Sequence, residues 1–164
     1  MESASAPRDD GYQVQDLSFE LRDYDIFQLL MASLRMRDTD PDCTSIPSTA
    51  TSSTKQYTIK TALPDAVRKI SPELEDPVVS ETLSVDESGD FNSLVVGKIP
   101  FAKLVAQTRF EQKDWGVSVR VSSALDFSPD APPLMVGLLK TYVVFSTNSH
   151  MRRLQEIYQQ FAGN

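Results

Sequence analysis

The sequence predicts an α+β fold: a mainly antiparallel twisted β-sheet, a helix near residues 25–37, and a C-terminal helix packed on the sheet. Three observations support this prediction. Apolar and polar residues alternate over residues 115–127, a helix N-cap at Asp25 precedes an apolar stripe, and residues 149–163 repeat apolar positions at helical spacing.

The alternating segment is the clearest strand in the sequence. Six of its seven odd-numbered positions are apolar, so one face is expected to be buried and the other solvated. The odd-numbered residues are Trp115, Val117, Val119, Val121, Ser123, Leu125 and Phe127.

A strand and a helix are predicted before it. Leu17, Phe19 and Leu21 alternate with polar residues, which is typical of a half-buried strand. Asp25 and Gln28 have the spacing of a capping box, and apolar residues follow at helical period. A continuous strand is the alternative for this segment, because Leu29 and Met31 broaden its apolar run.

Further strands follow in the middle of the chain. Residues 56–63 alternate as a strand, and Pro64 opens a short helical piece. Residues 79–85 and 94–99 flank a turn sequence and predict a β-hairpin.

Two segments are harder to assign. Residues 101–110 have apolar positions that fit a helix beginning at Pro100. Residues 134–145 are almost wholly apolar and predict a central strand buried on both faces, or a strand beneath a helix. The final helix is expected to begin at Asn148 or Ser149 and to stop at Gly163.

Residues 12–164 are expected to form a single domain, because the sequence has no repeat and no second core. Residues 1–11 are expected to form a disordered polar tail. Residues 38–54 are rich in Ser, Thr and Pro, and we expect a mobile loop there whose hydroxyls are available for phosphorylation.

The charge is unevenly distributed. The net charge is −7, and residues 1–90 hold 8 Lys+Arg against 18 Asp+Glu, whereas residues 91–164 hold 8 against 5. Such a chain repels duplex nucleic acid unless its basic residues cluster on one face. Either the acidic half of one copy attracts the basic half of another copy, or both halves carry ordinary surface charge.

A soluble intracellular protein is expected, in a host cytoplasm or a virion if it is viral. No apolar run is long enough to span a membrane, and the polar N-terminus is not a signal peptide. Cys43, the single cysteine, forms no intramolecular disulfide, which argues against a secreted domain.

Catalytic and metal-binding patterns are weak. The single histidine, His150, is interpreted as a surface residue beside a helix cap, and Cys43 lacks a nearby base. Asp38, Asp40 and Asp42 have the spacing that opens a calcium loop, but its glycine and glutamate are missing. We therefore expect no enzyme, no metal, no cofactor and no small-molecule substrate.

Two charged surfaces are the candidate interaction sites. The basic one is interleaved with aromatic residues, as in surfaces that bind nucleic acid or phospholipid headgroups, although the aromatics also fit a core. Its members are Lys98, Lys103, Arg109, Lys113, Arg120, Arg152 and Arg153. A candidate acidic partner surface consists of Glu73, Glu75, Asp76, Glu81, Asp86 and Glu87.

These features favour a structural protein that self-associates into a larger assembly, with a virion matrix- or coat-like scaffold as the most specific hypothesis. The partner is then another copy, another protein, or less directly a membrane or nucleic acid. An adaptor or chaperone module that binds a protein segment beside the last strand and the C-terminal helix is the first alternative. A small enzyme that uses carboxylates or serine is the second.

Overall fold

The computed structural model describes residues 13–47 and 53–162. Their seven strands are Gln13–Arg22 (β1), Cys43–Ile46 (β2), Thr54–Lys60 (β3), Val78–Val85 (β4), Phe91–Ile99 (β5), Ala102–Lys113 (β6) and Gly116–Phe127 (β7). Their three helices are Ile26–Asp38 (α1), Asp65–Ile70 (α2) and Pro133–Ala162 (α3).

The strands form one antiparallel sheet in the order β1-β7-β6-β5-β4-β3-β2. Val119 of β7 lies opposite Phe110 of β6 and Phe19 of β1, so these three side chains share one face, which we call the inner face. Arg120 lies opposite Arg109, and both point to the other, outer face. Alternation along each strand then assigns every other side chain to one of the two faces.

The 30-residue helix α3 lies against the inner face, where its apolar side chains form two separate clusters. The first cluster contains Met135, Leu139 and Val143 from the N-terminal half of α3, together with Ile99 and Leu125 of the sheet. The second contains four residues from its C-terminal half, namely Met151, Leu154, Ile157 and Tyr158. The helix is therefore fixed to the sheet at two places along its length.

Helix α1 is held at its N-terminus by three side chains. The Asp25 carboxylate accepts a hydrogen bond from the backbone N–H of Gln28 at 3.0 Å, as an N-cap does. The Tyr158 hydroxyl of α3 accepts from the Asp25 N–H at 2.9 Å, and the Gln112 side chain of β6 accepts from the Ile26 N–H at 2.8 Å. The first turn of α1 is thus tied to both the sheet and α3.

The α+β prediction is confirmed, including the helix near residues 25–37 and the C-terminal helix on the sheet. Two segment assignments are wrong. Residues 101–110, predicted as a helix, lie almost wholly in strand β6, and residues 134–145, predicted as a strand, form the first half of α3. The final helix therefore begins at Pro133 and not at Asn148 or Ser149. The hairpin predicted over residues 79–99 is present as β4 and β5.

Part of the segment predicted as a mobile Ser/Thr/Pro loop is ordered. Cys43–Ile46 forms the edge strand β2, paired with β3, whereas residues 48–52 lie outside the described residues. The polar tail predicted for residues 1–11 also lies outside them. The assignment of residues 12–164 to one domain stays a prediction. None of the described helices combines the length and the hydropathy needed to cross a bilayer.

Candidate functional site

A cavity lies between the inner face and the middle of α3, between the two apolar clusters. Its position follows from the size of the side chains there. The inner face carries Ser93 and Gly97 on β5 and Ala106 on β6, which are too small to reach the helix. Ser146 of α3 faces them with an equally small side chain. The sheet and the helix therefore do not fill the space between them.

The cavity has two chambers. The inner chamber, about 190 Å³, lies over strands β3 to β6 and is walled mainly by apolar side chains. The outer chamber, about 890 Å³, lies between α3, the end of α1 and the segment around α2. Four residues line both chambers and mark the junction between them, and we call them the junction residues: Thr61, Tyr142, Ser146 and His150.

A polar cluster forms one wall of the inner chamber. Glu81 of β4 points inward and is 1% exposed. The Arg37 side chain of α1 donates from Nε to Glu81 Oε1 at 2.5 Å and from Nη2 to Glu81 Oε2 at 3.2 Å. The Ser93 hydroxyl of β5 donates to Glu81 Oε2 at 2.5 Å. Nη2 of Arg37 also lies 3.3 Å from Nδ1 of His150, on α3.

Both members of the ion pair are held in their charged forms. Burial disfavours the Glu81 carboxylate, but the attraction of Arg37 and its hydrogen bonds outweigh this effect, so the pKa of Glu81 is lowered. Burial likewise disfavours the Arg37 guanidinium, and Glu81 outweighs it, so the pKa of Arg37 is raised. The pair is therefore a fixed, mutually neutralised group.

His150 is held in its neutral form. Burial lowers its pKa to about 4, with a further lowering by the positive charge of Arg37 that Glu81 only partly opposes. Since an arginine only donates hydrogen bonds, Nδ1 of His150 is the acceptor in this contact. The ring proton therefore resides on Nε2.

Cys43 and Tyr57 lie around the same arginine and are also kept protonated. Nη1 of Arg37 lies 3.9 Å from Sγ of Cys43, whose pKa is raised by burial despite that positive charge. The buried Tyr57 hydroxyl donates to Asp38 at 3.0 Å, and burial together with this acceptor raises the pKa of Tyr57. Neither side chain is ionised near neutral pH.

Glu81 and His150 are hydrogen-bonding groups that act as weak bases near neutral pH. A general base works best when its pKa lies near the working pH, and the pKa values of Glu81 and His150 both lie below that range. Within residues 13–47 and 53–162, no group of three or more His, Cys, Asp or Glu side chains is arranged to hold a metal ion.

The candidate basic surface is divided between two sides of the molecule. Lys98, Lys103, Arg109, Lys113 and Arg120 lie on the outer face of β5, β6 and β7, whereas Arg152 and Arg153 lie on α3, which covers the inner face. Some of these residues have acidic neighbours: Arg109 contacts Asp86 at 2.9 Å, and Arg120 contacts Asp16 at 3.4 Å. The structure does not bring the seven residues together.

The candidate acidic surface is also divided. Glu81 lies in the cavity and not at the surface. Asp76 accepts hydrogen bonds from Arg68 and from the backbone of Leu63, and Asp86 contacts the basic surface itself through Arg109. Glu73, Glu75 and Glu87 lie exposed in loops and turns.

The residues of the cavity were not predicted from the sequence. His150 was predicted to lie at the surface, and Glu81 was assigned to the candidate acidic surface. One pattern did point to Glu81, because it stands between Val79 and Leu83 at a position where the alternation of β4 requires an inward side chain.

Comparison with known proteins shows the fold. No family model and no curated protein matches the chain. The di-domain ARO/CYC protein StfQ of the steffimycin biosynthetic pathway has a TM-score of 0.62 at 12% identity, with 93% of this chain and 53% of StfQ covered. The chain thus spans about half the length of StfQ.

Two further structures are similar over most of the chain. The ZhuI aromatase/cyclase from Streptomyces sp. R1128 has a TM-score of 0.59 at 8% identity, with 90% of this chain and 95% of ZhuI covered. Human STARD10 has a TM-score of 0.55 at 10% identity, with 90% of this chain and 64% of STARD10 covered. The chain has a helix-grip fold. These low identities show the fold alone.

The similarity corrects the functional prediction. A self-associating structural protein of the virion matrix or coat type is the wrong interpretation, because the neighbours are helix-grip proteins that include aromatase/cyclases. A protein partner, and with it the adaptor alternative, has no support from them. The expectation of no small-molecule ligand is also corrected, because it conflicts with these neighbours.

Proposed function

We propose that the protein binds a small, largely apolar molecule in the cavity between the sheet and α3. The observation that carries this proposal is a half-open cavity between the sheet and α3, flanked by the two packed clusters. Its walls are mainly apolar and carry a few fixed polar groups. Ligand sites of proteins have this composition and volumes of roughly 300–1,000 Å³.

The electrostatics of the site support binding without conversion of the ligand. Some structural neighbours are aromatase/cyclases. In this chain Glu81 is neutralised by Arg37, and His150 has a lowered pKa, so both are weak bases near pH 7. The earlier prediction of a non-catalytic protein is therefore kept as part of this proposal.

A matched pair of variants on one strand tests the proposal. Ala106 of β6 points into the inner chamber, whereas its neighbour Val105 points outward and is half exposed. Ala106→Phe places a ring in the inner chamber, and Val105→Phe places the same ring on the outer face. The probe is 1-aminoanthracene, an uncharged apolar dye whose fluorescence rises in apolar surroundings.

The expected result is saturable dye binding by the parent protein and by Val105→Phe, with binding by Ala106→Phe weakened about tenfold or more, equivalent to about 1.4 kcal/mol. Circular dichroism and thermal melting of both variants check that the fold is kept. The proposal fails if the parent protein shows no saturable binding, or if folded Ala106→Phe binds the dye as tightly as Val105→Phe does.

A further inference from the structure

The junction residues form a polar ring between two mainly apolar chambers. Beyond the ring, most of the inner chamber is walled by apolar side chains, namely Val79, Val95, Ile99, Leu104 and Val143. Its polar wall is formed by Arg37, Glu81 and Ser93, which bond one another. A ligand that occupies both chambers must pass through the ring with its middle section. The polar group of such a ligand is therefore expected at the junction rather than at its inner end.

The ring presents hydrogen-bond donors. Nδ1 of His150 is occupied by Arg37, so its Nε2–H is the free donor, and it has no partner within the described residues. The hydroxyls of Tyr142 and Ser146 also have no partner within those residues. The Thr61 hydroxyl differs, because it donates to the carbonyl of Pro77 at 2.8 Å.

Each chamber is neutral overall. The charged residues that line the inner chamber are Arg37 and Glu81, which neutralise each other, and those that line the outer chamber are Asp40 and Arg153, one of each sign. A carboxylate or phosphate bound at the junction would be a partly desolvated charge without a counter-ion. A protonated His150 would be such a counter-ion, but its positive charge would lie 3.3 Å from the Arg37 guanidinium, which repels it.

We infer that the ligand carries an uncharged hydrogen-bond acceptor, such as the carbonyl of a ketone or ester, which accepts from His150 Nε2–H at the junction while an apolar chain or ring fills the inner chamber. This inference rests on the proposed function. It selects neutral carbonyl compounds over fatty acids and other anionic amphiphiles of the same length.

The test is a competition between methyl decanoate and decanoate at pH 7.5, both kept below their aggregation concentrations, against bound 1-aminoanthracene. The ester is expected to displace the dye at a concentration at least about tenfold lower than the carboxylate does. Displacement by decanoate at an equal or lower concentration overturns the inference while leaving the proposed function intact. Absence of dye binding contradicts the proposed function instead.

Variants of His150 separate the donor from the shape of the cavity. His150→Phe keeps a ring but removes the donor, and the affinity for methyl decanoate is expected to fall about three- to tenfold relative to that for the dye. His150→Gln keeps an N–H donor and is expected to retain more of the ester affinity. Equal ester affinity in the parent protein and in folded His150→Phe overturns the assignment of Nε2–H.

Discussion

Arg37 and Glu81, which stand 44 residues apart, form a two-point ion pair inside the cavity wall, with Nε–Oε1 and Nη2–Oε2 distances of 2.5 and 3.2 Å. Their side chains are 11% and 2% exposed. The pair joins α1 to the centre of the sheet and is completed by Ser93 and His150. Its burial makes the loss of one partner far more costly than the loss of both.

Glu81→Leu is expected to lower the free energy of unfolding by about 3–5 kcal/mol, because it leaves the Arg37 guanidinium buried without its counter-ion. Urea denaturation followed by circular dichroism measures the change. The double variant Arg37→Met/Glu81→Leu is the control and is expected to recover most of the loss. A double variant no more stable than Glu81→Leu alone would show that the single loss is a packing effect.

Acidification is expected to destabilise the protein through His150. Its pKa falls from 6.5 to about 4 on folding, so between these pH values the unfolded chain binds a proton that the folded chain does not. The free energy of unfolding therefore decreases as pH falls through this window, by up to roughly 3 kcal/mol for a shift of this size.

Urea denaturation of the parent protein and of His150→Gln at several pH values between 6.5 and 4.5 tests this expectation. Glu81 also has a lowered pKa, so both proteins lose stability at the acidic end, and the informative quantity is the difference between them. As pH falls across the window, the free energy of unfolding is expected to decrease more for the parent protein than for His150→Gln. Parallel losses in the two proteins would mean that His150 is protonated in the fold as readily as in the unfolded chain.

Gly116 is expected to tolerate no side chain. It begins β7 with φ at +146°, and a Cβ there would lie 2.2 Å from the carbonyl oxygen of Leu21 and 2.8 Å from the Asp23 nitrogen. Gly116→Ala is expected to cost about 2 kcal/mol or more, because the edge strand β1 must move away from β7.

Gly89→Ala is the matched control for the glycine variant. Its φ is +92°, but a Cβ there meets no atom within 4 Å, so only the backbone strain of about 1 kcal/mol is expected. Thermal melting of both variants checks the order of the two effects. Equal losses would show that backbone strain, not the contact with β1, dominates at Gly116.

The strands and helices that face a well-packed core were predictable from the sequence. The alternation of β7 is clean because its inner positions, Val117, Val119, Val121 and Leu125, are all buried in the apolar clusters. The C-terminal half of α3 is equally clear, since its apolar stripe packs on the sheet. In both elements, burial and periodicity agree.

The two wrong assignments lie beside the cavity. In β6 the inner positions include the small Ala106 and the polar Thr108, whereas the apolar Val105 points outward and is half exposed. The alternation of apolar and polar residues that marks a strand is therefore hidden in this segment. In the first half of α3, the apolar residues Leu134 and Phe145 stand at exposed positions, where a helix usually has polar residues. The segment therefore reads as uniformly apolar and shows no helical period. Periodicity is visible only where buried positions are apolar and exposed positions are polar, and these two segments do not follow that rule.

The site itself was not predictable from spacing, because Arg37, Glu81 and His150 come from three distant elements that only the sheet order brings together. Two local patterns pointed to it. Glu81 occupies an inward position of a strand, and His150 continues the inward stripe of α3 that contains Leu154 and Ile157 at spacings of four and three.

The central claim is that a small molecule enters the space between the sheet and α3. A titration with 1-aminoanthracene followed in two-dimensional ¹H–¹⁵N spectra tests it most directly, because it locates the ligand on the backbone. We expect saturable shifts at the amides of Ala106, Thr108, Ser146 and His150, which line the chambers, and unchanged signals at Arg120 and Asp86, which lie away from them. Shifts confined to the outer face, or no saturable shift at any amide, would contradict the account.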